Sequence, residues 1–280
     1  MVSWLALLEN QIVSAPKAFK GKDYLCPECR TTVRLRSGPH RKPHFYHLNP
    51  TRPCRQHLKS EEHLQAQLAI LNALPAGEGQ IERIFSSINR IADVAWEARK
   101  IIFEIQCSPI SLDEVKQRVK DYQAYGFEVV WILHDKRFNM RRVSAAEMHL
   151  RQQTCYFTNM SKEGKGAFYD QFEIIKGHLR LFKSPPTRIN PTQLIPTPVS
   201  FPTPLPHSLA GRAQIWHHAT QGDLLSKIAR KELPFLSKWK ELEERIECTA
   251  IEKRSWKWKE IFKQGYLRLF RNLLQRSTSR

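Results

Sequence analysis

The sequence predicts an α/β protein whose central element is a mixed β-sheet flanked by helices. Residues 60–134 carry hydrophobic patterns typical of helix, strand, strand, helix and strand in that order, which favours strands pairing in one sheet between helices. The 280 residues are 41% hydrophobic and include seven Trp, as expected of a folded globular chain. Eight Pro between positions 185 and 206 interrupt this pattern, so the sheet is expected to end before them.

The region before the sheet is rich in cysteine and histidine. A Cys-x2-Cys pair in a reducing compartment is typical of a tetrahedral Zn²⁺ site. We therefore predict a zinc knuckle, whose ligands are Cys26, Cys29, His44 and His47. The rings of two His three positions apart in a strand point to opposite faces, which leaves alternatives open. They are His44 with Cys54, His44 with His57, a redox cysteine pair, and packing residues without a metal.

Two helices follow. Residues 60–74 begin at Ser60, whose hydroxyl suits an N-cap, and carry acids in the first turn. Residues 111–126 begin at Ser111 in the same way and end at Gly126, the residue type that favours the left-handed conformation after a helix.

Three segments are predicted as strands: residues 81–96, 100–107 and 127–134. The last is continuously apolar in its centre, which is typical of a strand buried on both faces. The first two are apolar but include Asp93, Glu104 and Gln106, so polar side chains interrupt otherwise buried segments.

The acids of this hairpin predict a metal site. If the turn is centred between Ala98 and Arg99, Asp93 lies directly opposite Glu104, and cross-strand Cβ atoms are about 5 Å apart. Two carboxylates at that distance repel each other, whereas Mg²⁺ or Mn²⁺ between them is favourable. Such an ion can activate water and stabilise charge in phosphodiester hydrolysis. The alternative is that both acids face solvent at an exposed sheet surface.

The last hundred residues are expected to differ from the sheet region. Residues 181–206 read as a semi-rigid extended linker, and residues 207–280 as a basic helical C-terminal region. Within the latter, residues 254–276 mix aromatic and basic side chains, which fits a packing helix, a single-stranded nucleic-acid contact or a membrane-surface helix. The predicted regions are thus 1–59, with an N-terminal strand and zinc knuckle, 60–180, 181–206 and 207–280.

The net charge of +18 favours polyanionic partners, with nucleic acid ahead of an anionic membrane and a basic but inert surface as the alternative. The opening residues lack the features of a signal peptide, and no apolar run approaches the roughly 20 residues of a transmembrane helix. The six Cys are unevenly spread, unlike a disulfide framework, so we expect a cytoplasmic protein.

Several short motifs occur in a characteristic order. They are CPEC at 26–29, HFYH at 44–47, SEEH at 60–63, ADV at 92–94, EIQCSPIS at 104–111, Arg118 with Tyr122, and VVWIL at 129–133. The set resembles the CoiA-like competence proteins of the PD-(D/E)XK nuclease superfamily, with a weaker similarity at 164–174. The resemblance implies a restriction-endonuclease-like fold for residues 60–180.

The resemblance also implies roles for the hairpin residues. Asp93 and Glu104 would bind Mg²⁺ or Mn²⁺, with the carbonyl group of Ile105 as a possible third ligand. Gln106 stands where most of the superfamily has Lys. It can orient a water molecule by hydrogen bonds but supplies no positive charge.

The first helix would contribute Glu62 and His63 to the catalytic site, slightly ahead of Glu61. Lys59 departs from the family pattern, which has Glu before the Ser. Residues for binding nucleic acid would be Ser108, Arg118 and Tyr122. The last two are four positions apart and share a helix face, although a surface Arg beside a packing Tyr is the alternative.

Taken together, these features predict a metal-dependent endonuclease or exonuclease-like phosphodiester hydrolase that acts on DNA, and the resemblance implies that it does so in uptake and recombination. Single-stranded or branched DNA is the expected substrate, and recombination proteins are possible partners. The alternative is a non-catalytic DNA-binding accessory protein, which Gln106 and Lys59 would favour. RNA as the substrate is a third hypothesis.

Overall fold

The computed structural model describes residues 2–9, 11–27, 29–39, 41–49, 59–196, 201, 205–215, 218–231 and 236–246. Cys54, His57 and the aromatic and basic stretch 254–276 lie outside these described residues. None of the helices within the described ranges combines the length and the apolar character needed to cross a bilayer.

The N-terminal part is a six-stranded antiparallel sheet with the strand order β1-β6-β5-β4-β2-β3. Side chains alternate between its faces, and one face buries Tyr24, Val33 and Phe45 in a small core. The strands are β1 Val2–Ser3, β2 Leu5–Leu8, β3 Gln11–Ser14, β4 Asp23–Leu25, β5 Thr32–Gly38 and β6 Arg41–His47.

The central element is a seven-stranded mixed sheet with the order β15-β12-β11-β10-β9-β8-β7. Strands β9, β10 and β11 are parallel, and the other neighbouring pairs are antiparallel. The mixed sheet predicted from the sequence is confirmed. The strands of this region, with the separate hairpin β13–β14, are β7 Gly79–Phe85, β8 Arg90–Trp96, β9 Ile101–Gln106, β10 Glu128–His134, β11 Cys155–Thr158, β12 Phe168–Asp170, β13 Glu173–Lys176, β14 Leu179–Lys183 and β15 Thr187–Arg188.

The segment predicted as one strand at 81–96 is in fact a hairpin. A turn over residues 86–89 separates β7 from β8, and Asn89 adopts a left-handed conformation with φ 52°. Asn tolerates this conformation better than most residues, so it can end the turn.

The two predicted helices are confirmed with nearly the expected bounds. Helix α1 is Glu61–Ala73, and the Ser60 hydroxyl accepts a hydrogen bond from a backbone amide in its first turn. Helix α2 is Leu112–Gln123, with Ser111 in the same role, and Gly126 after it has φ 74°. A third helix, α3 Ala145–Arg151, was not predicted.

Helices α1 and α2 cover opposite faces of the central sheet. Ile70 of α1 packs in the same core as Val94 of β8 and Phe103 of β9. Tyr122 of α2 packs with Ala95 and Ile102, which are adjacent to those two residues in the same strands. Since successive residues of a strand point to opposite faces, the two helices lie on the two sides of the sheet.

The predicted linker and C-terminal region differ from the structure. Thr187–Arg188 form β15 at the edge of the central sheet, and β16 Asn190–Pro196 pairs with β17 His218–Gln221 in a two-stranded sheet. The register of that pair shifts between Asn190 and Leu194, which spans Pro191. Proline lacks the N–H group that a ladder needs, so it is tolerated in such short or irregular pairs but not in a central strand.

The C-terminal region packs on the same core as the central sheet, so no domain boundary separates residues 60–180 from the described part of 207–280. Leu209 of α4 (His207–Ile215) and Leu225 of α5 (Leu224–Ala229) are buried together with residues of α1 and β8. Trp239, in the helical stretch 236–246, stacks on Phe172 with ring centroids 4.5 Å apart. The described residues on both sides of the Pro-rich segment thus share one hydrophobic core.

Candidate functional site

Polar side chains from α1 meet Asp93 of β8 at the end of the β8–β9 ladder. The Nε2 atom of His63 lies 3.1 Å from Oδ1 of Asp93, and the amide of Gln67, one helical turn later, donates to the Asp93 carbonyl at 3.1 Å. His63, Gln67 and Asp93 are 6%, 0% and 4% exposed. The site is therefore an interior cluster and not a set of acids on an exposed sheet surface.

The backbone at this point explains the position of Asp93. Val94 pairs with Phe103, and extending this register by one residue brings Asp93 opposite Glu104, as the sequence predicts. The pairing of β8 with β9 ends at Val94, and beyond it Oδ2 of Asp93 accepts a hydrogen bond from the backbone amide of Ile105 at 2.8 Å. The carboxylate thus takes the place of a backbone acceptor where the two strands part.

Glu104 has different partners from Asp93. Its carboxylate accepts hydrogen bonds from Arg118 and, at 2.7 Å, from the hydroxyl of Tyr122, both on α2. Asp93 thus contacts side chains of α1, whereas Glu104 contacts side chains of α2, and Glu104 does not belong to the group of potential ligands found among the described residues. That Asp93 and Glu104 share one ion stays a prediction. Arg118 also donates a hydrogen bond to Glu114. A phosphate group that binds Arg118, as predicted, would therefore compete with the carboxylates of Glu104 and Glu114.

A third buried acid, Glu82 of β7, completes a group that the sequence analysis missed. Glu82, His63 and Asp93 each offer one ligand atom, and these atoms lie within 4.8 Å of one another. Glu82 is 3% exposed and has φ 53°, a left-handed conformation unusual for an extended strand. The side-chain amide of Gln67 donates a hydrogen bond to Oε1 of Glu82 at 2.5 Å.

Nothing in the local pattern distinguishes Glu82 from an ordinary polar residue of an amphipathic strand. The signal is in the strand register, because Ile81 pairs with Val94 and Arg83 pairs with Ala92. Glu82 therefore lies beside Asp93, which sequence spacing alone does not reveal.

Lys59 supplies positive charge to this group. Its Nζ atom lies 2.5 Å from Oε1 of Glu82 and 2.7 Å from Oδ1 of Asp93. Burial by itself would raise the pKa of Asp93, but the charges of His63 and Lys59 outweigh burial and hold that pKa well below its usual range. Asp93 is accordingly a carboxylate at neutral pH.

Glu104 has the opposite electrostatic balance. Burial is the largest influence and raises its pKa, and the negative charge of Asp93 acts in the same direction against the charge of Arg118. The two carboxyl groups thus have pKa values shifted in opposite directions.

The other predicted site residues are more peripheral. The amide of Gln106 donates to the carbonyl of Ser108 at 2.7 Å and also contacts the Ser108 hydroxyl. Glu62 forms an ion pair with Lys136 at 2.8 Å, which lowers the pKa of Glu62 to about 2. Of the two helix acids and His63, only His63 belongs to the group of three potential ligands among the described residues.

The N-terminal sheet brings three of the four predicted zinc ligands together. Ligand atoms of Cys26, Cys29 and His47 lie within 4.8 Å of one another, with the Cys29 sulfur 3.2 Å from Nε2 of His47. The amide of Arg30 donates to the carbonyl of Cys26 at 3.0 Å, closing the turn that holds both thiols on one side. The fourth, His44, lies outside this group, because positions 44 and 47 of β6 point to opposite faces.

Comparison with known families agrees with this architecture. Residues 59–184 match the family model described as the nuclease-like domain of competence protein CoiA, so the region that contains the mixed sheet is a nuclease-like domain. Residues 8–56 match the model of the N-terminal domain of competence protein CoiA. The chain therefore belongs to the CoiA-like competence proteins. Neither a curated protein nor a solved structure matches it.

Proposed function

We propose that this protein is a metal-dependent phosphodiester hydrolase that acts on DNA during uptake or recombination. The observation that carries the proposal is the buried group of His63, Glu82 and Asp93 within a nuclease-like domain. Among macromolecules, a net charge of +18 fits a polyanionic substrate such as DNA. Single-stranded or branched DNA, and recombination proteins as partners, remain part of the proposal.

The residues of the group fit a divalent cation. Two carboxylates and one imidazole are suitable donors for Mn²⁺ and, through the carboxylates, for Mg²⁺. Glu82 and Asp93 are both almost completely buried, so they need a positive charge beside them, which Lys59 supplies in the structure and a bound divalent cation would supply in its place. A bound divalent cation would stabilise negative charge that develops on the scissile phosphate.

The surrounding side chains hold the acids in fixed orientations. The Asp93 carboxylate accepts hydrogen bonds from the Ile105 amide and, at 3.4 Å, from the side-chain amide of Gln67, while the Glu104 carboxylate is bound by Arg118 and Tyr122. These contacts restrict rotation of both carboxylates before any substrate binds, which lowers the cost of reorganisation during the reaction.

We further propose that Cys26, Cys29 and His47 bind a structural Zn²⁺. Thiolates and imidazole are the preferred zinc ligands, and a structural site takes four of them. The ion would join the turn after β4 to β6 and so stabilise a small sheet whose own core is limited.

The test is cleavage of single-stranded, duplex and branched DNA of equal length by the full chain with Mg²⁺, Mn²⁺ or a chelator. Asp93→Ala, Glu82→Ala and Glu104→Ala should each abolish cleavage. Glu97→Ala is the matched control, because Glu97 lies at the surface in an ion pair with Arg83. Cleavage that persists in the chelator or in Asp93→Ala would contradict the proposal.

A second function, DNA binding without cleavage, is favoured by one observation. The ammonium group of Lys59 already neutralises Glu82 and Asp93 without a metal, and Gln106 brings no charge of its own. If the protein is such an accessory protein, it should bind DNA in a salt-sensitive manner, and Asp93→Ala should not change this binding. It should also show no metal-dependent cleavage of DNA.

A further inference from the structure

Lys59 lies directly before the N-cap of α1, and its side chain reaches into the acidic group. It contacts Oε1 of Glu82 at 2.5 Å and Oδ1 of Asp93 at 2.7 Å, although these acids are 23 and 34 residues away in the chain. The Lys59 side chain is 22% exposed, whereas those of Glu82 and Asp93 are 0% and 6% exposed. The ammonium group therefore lies closer to solvent than the acids that it contacts, which are almost completely buried.

The same oxygen atoms would serve a divalent cation. The ammonium group of Lys59 contacts Glu82 and Asp93, which are two members of the group of three. The Oδ1 atom of Asp93 that it contacts also lies 3.1 Å from Nε2 of His63, the third member. A lysine ammonium and a divalent ion both need carboxylate oxygens at short range, and each repels the other. Occupation of these oxygens by one cation therefore opposes occupation by the other.

Two other cations among the described residues are bound to other acids. Arg118 binds Glu104 and Glu114, and Lys136 binds Glu62 at the surface. Burial alone would lower the pKa of Lys59, but the charges of Asp93 and Glu82 raise it above its usual range. Lys59 is consequently a cation at neutral pH.

We infer that Lys59 is the internal counter-ion of the acidic group and that a divalent cation displaces its ammonium group from Glu82 and Asp93. The inference rests on the proposed metal site but not on cleavage itself. Once displaced toward solvent, the ammonium group is available to the phosphate of a bound polynucleotide, where it supplies the positive charge that Gln106 lacks.

The test is the affinity of the full chain for Mn²⁺ without DNA, measured by isothermal titration calorimetry and by the loss of the free-ion signal in electron paramagnetic resonance. Lys59→Met should tighten binding by about tenfold or more, because a competing unit charge is removed. Its metal-free Tm should fall and its Mn²⁺-saturated Tm should recover. Lys162→Met is the matched control, since Lys162 is exposed beside Glu163, and its Mn²⁺ affinity should equal that of the wild type.

Two further variants keep the test decisive. Lys59→Gln retains a hydrogen-bond donor without charge and should also tighten Mn²⁺ binding, even if Lys59→Met does not fold. Lys59→Arg retains the charge and should bind Mn²⁺ with nearly wild-type affinity. Unchanged or weaker Mn²⁺ binding in Lys59→Gln would overturn the inference.

DNA cleavage separates this inference from the proposed function. If the wild type binds Mn²⁺ and does not cut DNA, the hydrolase proposal fails while tighter binding by Lys59→Gln still supports the counter-ion. If the wild type cuts DNA, Lys59→Gln should lower the rate at saturating Mn²⁺, and Lys59→Arg should restore part of it.

Discussion

Replacement of Arg212 by Met tests whether the C-terminal segment belongs to the core of the nuclease-like domain. Arg212 of α4 makes two hydrogen bonds to the carboxylate of Asp170 in β12, both 3.0 Å long, and both side chains are almost completely buried. Asp170 would keep the Leu224 amide at 3.1 Å and Arg151 at 3.5 Å. The variant therefore leaves a buried carboxylate with weaker compensation.

The expected loss follows from this burial. Removing one partner of a buried ion pair costs about 3–5 kcal/mol in the free energy of unfolding, because the remaining charge is poorly solvated. The remaining contacts of Asp170 place the value near the lower end of that range. The double variant Arg212→Met with Asp170→Asn removes both charges and should recover part of the loss.

Urea denaturation followed by circular dichroism measures these differences. Arg83→Met is the control, since Arg83 and Glu97 form a surface pair and its loss should cost less than about 1 kcal/mol. Equal losses in Arg212→Met and Arg83→Met, or a separate transition for the C-terminal segment, would refute the single-core description.

Three further predictions concern pH, the Glu104 contacts and zinc. Arg151 and Arg180 hold the pKa of Glu173 below its usual range despite burial, so this group stabilises the fold above the ordinary carboxyl pKa and loses that contribution as pH falls. Glu173→Gln should therefore show a weaker decline of Tm below about pH 5 than the wild type. Tyr122→Phe removes a hydrogen bond to a buried carboxylate and should cost about 1–3 kcal/mol in urea denaturation, so no loss would argue against that contact. His47→Ala should lower the zinc content measured by mass spectrometry, while His44→Ala should retain it, and the reverse result would contradict the ligand assignment.

Some of the fold was predictable because the responsible interactions are local. Ser60 and Ser111 cap their helices through backbone amides three residues later, and Gly126 ends the second helix with a positive φ. The apolar run before His134 is a buried strand between two parallel neighbours. These features depend on residues that are close together in the chain, so the sequence alone is enough to predict them.

The elements after residue 134 were harder to predict. Helix α3 has seven residues and β12 has three, too short for a clear hydrophobic period. The Pro-rich segment has the composition of a linker, yet Thr192 of β16 donates its hydroxyl to the carbonyl of Ala73 at the end of α1. Tertiary contacts decide the conformation of β16, and the composition of the segment does not reveal them.

The sequence by itself determined that two acids lie in otherwise apolar strands, and its motifs indicated the family. With the turn placed between Ala98 and Arg99, it also predicted the hairpin register that the structure shows, in which Val94 pairs with Phe103. Only the tertiary structure decided that Glu82 and Lys59 join Asp93 while Glu104 turns to α2. The physical reason is that the contacts of Asp93 depend on which strands pair and which helix covers each face of the sheet, and these arrangements join residues that are far apart in the chain.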